Sequence, residues 1–229
     1  HGVLAVTFTN KAAKEMTARL SALVPINTRG MWIGTFHGLC NRLLRAHYRE
    51  AGLPQTFQIL DSADQLAMVK RLLKNLNVDD EKYPPRELCH FINGHKEQGV
   101  RAAQAEAYDN YTQKRVELYA EYESQCNREG VVDFAELLLR CHELLQRNEP
   151  LCTHYQQRFR YILVDEFQDT NRLQYAWLQL LAGGGAKVFA VGDDDQSIYA
   201  FRGAEVGNMR DFEREYAGAN VIRLEQNYR

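Results

Sequence analysis

The sequence has no paired cysteines, no apolar run approaching a membrane span, no internal repeat, no low-complexity segment and no net basic charge. Each absence removes a class of protein. Cys40, Cys89, Cys126, Cys141 and Cys152 stand singly, with no Cys-x-x-Cys pair. Neither a zinc ribbon nor a disulfide scaffold is indicated, and reduced, cytoplasmic thiols are expected. The seven histidines supply no metal-ligand spacing. Without about twenty consecutive apolar residues, no membrane-spanning helix and no membrane partner are expected. A net charge of −2 over 229 residues excludes a uniformly basic coat for nucleic acid. The charge is uneven, though: residues 1–60 carry seven Lys/Arg against Glu15 and Glu50, leaving a net −7 on the remainder. A local basic zone is compatible with a phosphate-backbone track, although helix surfaces often carry such charge with no partner.

One further absence bears on chemistry. No Gly-x-x-x-x-Gly-Lys-[Ser/Thr] loop occurs anywhere. The glycines at 183–185 lead into a strand-like run instead of opening a helix, so they are no phosphate cradle. Either the chain hydrolyses no nucleotide, or that loop belongs to sequence preceding His1.

What is present is a recurring unit, an apolar strand with polar residues at its carboxyl end. Tyr161–Val164 is an apolar run without polar alternation, which predicts a parallel strand buried on both faces. It stops at Asp165-Glu166. Adjacent carboxylates repel and are costly to desolvate, so a divalent cation backed by phosphate is one way to compensate them. A plainer alternative is that Asp165 caps the following helix. Val3 to Phe8 and Met31 to Thr35 predict two more strands, each ending in a Thr-Phe pair. Thr9 or Asn10 is placed to cap a helix whose apolar face, Ala12, Ala13, Met16 and Leu20, packs on the sheet. Lys187 to Val191 and Val221 to Leu224 predict further strands, with a helix bearing Met209, Phe212 and Tyr216 between them.

From about Ala46 to Gln157 the pattern is helical. Ser62-x-x-Gln65 predicts a capping box, Pro84-Pro85 a helix start, residues 112–128 a polar helix, and Asp133-x-x-Glu136 another start. Gly99 to Asn110 is expected to be the loosest connection. The predicted class is α/β: an incomplete parallel-sheet domain in two parts, residues 1–38 and 158–229, with an all-helical subdomain inserted at 39–157. Candidate chemistry collects along one edge of the sheet, where open α/β folds bind ligands.

Five segments, in order, carry a resemblance. Leu4-Ala5-Val6-Thr7-Phe8-Thr9-Asn10-Lys11-Ala12-Ala13, Gly34-Thr35-Phe36-His37-Gly38, Val164-Asp165-Glu166-Phe167-Gln168-Asp169-Thr170, Val191 to Tyr199 and Leu224-Glu225-Gln226-Asn227-Tyr228-Arg229 resemble successive motifs of superfamily 1 DNA helicases of the UvrD/PcrA/Rep group. The helical block resembles the UvrD branch. The resemblance implies a RecA-like domain 1A with an inserted subdomain 1B, and ATP and Mg²⁺ as cofactors. Asp165 would hold Mg²⁺ and Glu166 would be the catalytic carboxylate. Gln196 would sense the γ-phosphate, Arg229 would act as an arginine finger, and Tyr228 would pack near the adenine. Thr7, Phe8, Asn10, Thr35, Phe36, His37, Tyr199, Phe201 and Arg202 would line the path of single-stranded DNA. One departure is visible: Ala200-Phe201 stands where the family commonly has Gly-Trp.

By the same resemblance, the P-loop would precede His1 and a second RecA-like domain would follow Arg229. The parent would be a bacterial, nucleoid-associated 3′-to-5′ helicase of excision and mismatch repair, acting at single-strand/duplex junctions with repair-protein partners. The fragment alone is expected to be inactive. Two alternatives remain: the helicase subunit of a recombination helicase–nuclease, and a non-catalytic single-strand-binding module.

Overall fold

The structure, a computed structural model, describes residues 2–192 together with position 214. Four parallel strands, β1 (Val3–Thr7), β2 (Trp32–Thr35), β5 (Tyr161–Val164) and β6 (Lys187–Ala190), form one sheet in the order β2-β1-β5-β6. Their register aligns Thr7 with Thr35, Val6 with Val164, and Val164 with Ala190, so all the strands end along one rim. The strands predicted after Gly192, and the helix between them, lie outside the described residues.

Helices follow the strand ends for local reasons. Thr9 accepts from the Ala12 amide and opens α1 (Asn10–Leu23); Thr35 accepts from Gly38 and opens α2 (Phe36–Ala46). Both satisfy an orphan first-turn donor. Helix α1 lies against β1 and β2, yet none of its residues is fully buried, and Leu23 is 79% exposed. The β5–β6 half of the sheet also departs from expectation. Burial alternates along β5, with Leu163 37% exposed, and Phe189 on β6 is 55% exposed. One face of these strands is apolar but not covered by the described elements, so lack of polar alternation overstated their burial.

Between β2 and β5 come β3 (Gln58–Leu60), α3 (Ser62–Asn75), α4 (Pro85–Glu97), α5 (Asn110–Glu129), β4 (Val131–Asp133), α6 (Phe134–Arg147) and α7 (Glu149–Arg158). After β5, α8 (Arg172–Ala182) leads to β6. The block is not wholly helical: β3 and β4 pair as a short parallel ladder. The capping box sits one residue earlier than predicted, with Asp61 and Asp64 exchanging side-chain-to-backbone bonds. Residues 99–110 are anchored at one point: they hold a 3₁₀ turn at Ala102–Gln104, and the Arg101 guanidinium is paired to Glu136, Glu143 and Glu123, while Tyr108 stays exposed.

The buried apolar residues form two clusters. The larger joins Leu4, Val6, Ile162 and Val164 of the sheet to α2, α6, α7 and α8, around Phe36 and Trp177. The smaller is internal to α3, α4 and α5. Thus α2, α6 and α7 share the sheet's core, although most of their residues fall within 39–157.

Between the clusters lies a buried polar network. The Asp133 carboxylate caps α6 at Glu136 N (2.7 Å) and accepts from Lys96 Nζ (2.8 Å), Tyr122 Oη (2.6 Å) and Gln65 Nε2 (3.3 Å). Lys96 also lies 3.2 Å from Glu136, which pairs with Arg101 and Arg140 in turn. Burial opposes ionisation of Glu136, but Lys96 and Arg101 outweigh it and hold that carboxyl far below its ordinary range.

Candidate functional site

At the tip of β5 the chain makes a tight acidic turn. The Asp165 amide bonds Val6 O, and the next residue, Glu166, takes the left-handed conformation (φ 51°, ψ 46°). For a residue with a Cβ this costs about 1–2 kcal/mol. The neighbouring main chain holds it there: Phe167 N donates to Val191 O (2.9 Å), and Val191 N to Val164 O (2.9 Å). A 3₁₀ turn, Phe167–Asp169, then buries Phe167, Gln168 and Asp169. Asn171, not Asp165, caps the helix that follows, through a capping box with Gln174. That disposes of the plain capping role for Asp165.

The acids here are poorly compensated. Asp165 accepts only from the Glu166 amide at 3.0 Å, and Glu166 accepts from Gln168 Nε2 at 2.6 Å, among the bonds of the described residues. No ion pair reaches Asp165, Glu166 or Asp169 among those residues. Burial, then the charge of Glu166, pushes the Asp165 and Asp169 carboxyls above their ordinary range. Asp169 Oδ1 is buried without a hydrogen-bond partner among the described residues. Glu166 is exposed and Asp165 half-buried. This donor set suits a hard cation that keeps its waters and takes further oxygens from phosphate. No group of three or more His, Cys, Asp or Glu side chains forms a metal cage among the described residues.

Beside this turn, a cleft of about 400 Å³ opens between the sheet's rim and the inserted helices. One wall carries Thr7, Phe8, Thr35, Phe36 and His37; the other carries Gln65, Asn93 and Glu97, with Phe134 and Asp169 between. The predicted wall residues differ in what they present. The Thr7 hydroxyl is buried and donates to Thr9 O and Gly34 O. Thr35 is occupied as a helix cap. Phe36 is 1% exposed and packs edge-on against Trp177, so its ring backs the wall as core; Phe8 rests on it at 5.4 Å between centroids. Asn10 is exposed, and His37 is half-buried, its pKa lowered by burial against the opposing field of Asp133. At neutral pH His37 is therefore a directional hydrogen-bonding group, not a cation.

Residues that sequence reasoning passed over also sit here. Phe134, read as one more apolar position of its helix, is 44% exposed and meets His37 edge-on at 6.0 Å. Glu97 borders the same cleft, its carboxyl pushed up to about 7 by burial. Only the N-cap position of Asp133, which places Phe134 in an uncovered first turn, marked it in the sequence. Two arginines of the basic zone are held by main-chain oxygens while staying exposed: Arg42 bonds Met31 O and Gly30 O, and Arg45 bonds Phe57 O. Gln196, Tyr199, Phe201, Arg202, Tyr228 and Arg229 lie outside the described residues.

A family model described as the UvrD/REP helicase N-terminal domain matches residues 1–217. Over its whole length the chain is 54% identical to DNA helicase II of Escherichia coli K12, covering 32% of that protein. It is 50% identical over 99% of its length to DNA helicase II of Haemophilus influenzae, again covering 32%. The ATP-dependent DNA helicase PcrA of Staphylococcus aureus is 42% identical over the full chain, of which 32% is covered. The chain thus spans about a third of the length of these relatives.

Proposed function

This chain belongs to the UvrD/REP helicase family, and from that premise we propose that it serves as part of an ATP-driven 3′-to-5′ translocase on single-stranded DNA, working in DNA repair in the bacterial cytoplasm. The supporting observation is the rim itself. Asp165, half-buried, and Glu166, exposed, follow the tip of β5 with no cation among the described residues, on the rim where β1 and β2 end at Thr7 and Thr35. A cleft of about 400 Å³, lined by Thr7, Phe8, Thr35, His37 and Phe134, shares that rim and supports a strand-binding role.

In this role Asp165 helps hold Mg²⁺, which when bound offsets charge on the nucleotide's phosphates. Glu166 aligns the attacking water and draws on its proton. Its side chain is exposed at the sheet edge, and the charge of Asp165, which meets no cation among the described residues, favours a bound one. Gln196, Tyr228 and Arg229 complete the nucleotide site, and Tyr199, Phe201 and Arg202 continue the strand path. Along the cleft, Asn10 and His37 bond the strand while Phe8 and Phe134 offer ring faces; Thr7, Thr35 and Phe36 shape the wall from behind. The insert's own body corresponds to the smaller buried cluster, about residues 61–131, with α2, α6 and α7 as its base.

No phosphate-cradle loop occurs in these 229 residues, so this chain by itself should show no measurable multiple turnover of ATP. The deciding experiment is Glu166→Gln in the full-length protein carrying this chain. DNA-stimulated hydrolysis should fall by about 10²–10⁴-fold, with single-strand affinity retained. Undiminished hydrolysis sinks the assignment. Binding without DNA-stimulated hydrolysis in the wild type favours the single-strand-binding module instead.

A further inference from the structure

We propose that Gln168 is the positioning residue for Glu166 and ties its carboxylate to the exit of β6. The proposal rests on Glu166 being the hydrolytic carboxylate. Gln168 is buried, and its Nε2 donates to Glu166 Oε2 at 2.6 Å. The opposite end of the same amide is hemmed in by the neighbouring strand. A Cβ added at Gly192 would lie 2.6 Å from Gln168 Oε1, 3.2 Å from Gln168 N and 3.3 Å from Phe167 N. Contact at 2.6 Å is far inside van der Waals distance, so position 192 has room only for hydrogen while Gln168 keeps this rotamer.

Those contacts form a short chain of cause. Val191 O accepts from Phe167 N, which fixes how closely the β6 exit passes the acidic turn. Gly192 then limits where the Gln168 amide can sit, and the amide limits where Glu166 can point. A left-handed residue has no helical or strand partner to orient its side chain, so an external donor is needed. A neutral amide suits the task. Glutamate at 168 would repel Glu166, and a cation would neutralise the charge the carboxylate needs. Because Gly192 leads in sequence toward Gln196, any shift of the β6 exit is passed to Glu166 through Gln168.

The test uses the full-length protein carrying this chain. Gln168→Ala should lower kcat of DNA-stimulated ATP hydrolysis at least tenfold, with KM for ATP and single-strand affinity within twofold of wild type. A merely structural role would move KM for ATP or single-strand affinity along with kcat. Gly192→Ala should reproduce the kcat loss by displacing the amide, yet add less than twofold in the Gln168→Ala background. If Gln168→Ala fails to fold, the single Gly192→Ala variant still decides through its kcat and its KM for ATP. Unchanged kcat, a loss shared with KM or single-strand affinity, or two losses that simply multiply, overturn the proposal. Glu166→Gln separates the premises. If it is inactive while Gln168→Ala behaves as wild type, only the role of Gln168 falls; if Glu166→Gln stays active, both fall.

Discussion

Two groups of acids lie close to the cleft, and the protein treats them oppositely. Asp133 and Glu136 are buried and surrounded by Lys96, Arg101 and Arg140 within hydrogen-bonding distance. Asp165, Glu166 and Asp169 have no cation among the described residues, and burial, then repulsion by Glu166, raises the pKa of Asp165 and of Asp169. The first group was completed by folding and holds the insert on its base. The second was left incomplete, which is a cost to the fold unless a cation and phosphate arrive to share it. Uncompensated charge at an exposed rim thus points to function, whereas compensated charge in the interior points to architecture.

The largest expected effect separates the groups by sign. Lys96→Met leaves Asp133 and Glu136 without a cation that is itself only 2% exposed, and should cost about 3–5 kcal/mol in denaturant unfolding. Asp165→Asn removes one of two repelling carboxylates. It should leave stability unchanged or raise it by less than about 1 kcal/mol, the gain being kept small by solvent screening. A substantial loss of stability from Asp165→Asn would erase the distinction, as would a harmless Lys96→Met.

How much of this was legible in the sequence follows from range. Thr9, Thr35 and Asp133 were readable as caps because a cap needs only a side chain and an amide three residues on. The ladder of β3 with β4 was not: three residues give no periodicity, and its partner lies some seventy positions away. Asp61 and Ser62 both begin acceptable capping patterns, and only the backbone decides between them. Arg101 looked like part of a loose loop because its glutamate partners are 22, 35 and 42 residues away. The acid pair itself was plain in the sequence. That Gln168 steers one of them was hidden, because it depends on the left-handed turn at Glu166 and the close approach of Gly192.

The two regions meet at the bond between Asp133 and Phe134, and that junction gives an intermediate effect. Asp133 fixes the first turn of α6, and Phe134 projects from that turn into the cleft. Phe134→Ala should weaken binding of single-stranded DNA to the full-length protein by about 1–3 kcal/mol, roughly 5- to 150-fold. The salt dependence should stay as in wild type, since a ring neutralises no phosphate. Fluorescence anisotropy at several salt concentrations measures both. A change in slope without loss of affinity would mean that Phe134 matters only to the shape of the cleft.

The smallest effect concerns Glu97, which belongs to neither group cleanly. It stands on α4, one residue from Lys96, but borders the cleft and takes no part in the ion pairs of the described residues. Burial raises its carboxyl from 4.5 to about 7. A group whose folded pKa is raised contributes its stability fully below the unfolded value, and loses it as pH rises through the folded one. Glu97 should therefore favour the fold near pH 4.5 and progressively lose that contribution up to and beyond pH 7. Glu136, with its lowered pKa, runs the other way: its contribution is present above the unfolded range near 4.5 and lost only as acid approaches its folded value. Glu97→Gln should accordingly be close to neutral in Tm at pH 5 and stabilising at pH 8, by an amount that grows through neutrality. If the difference between variant and wild type is flat from pH 5 to 8, the carboxylate is already solvated or paired. Glu97 then joins the compensated acids, and the line between the two groups has to be redrawn at the wall of the cleft.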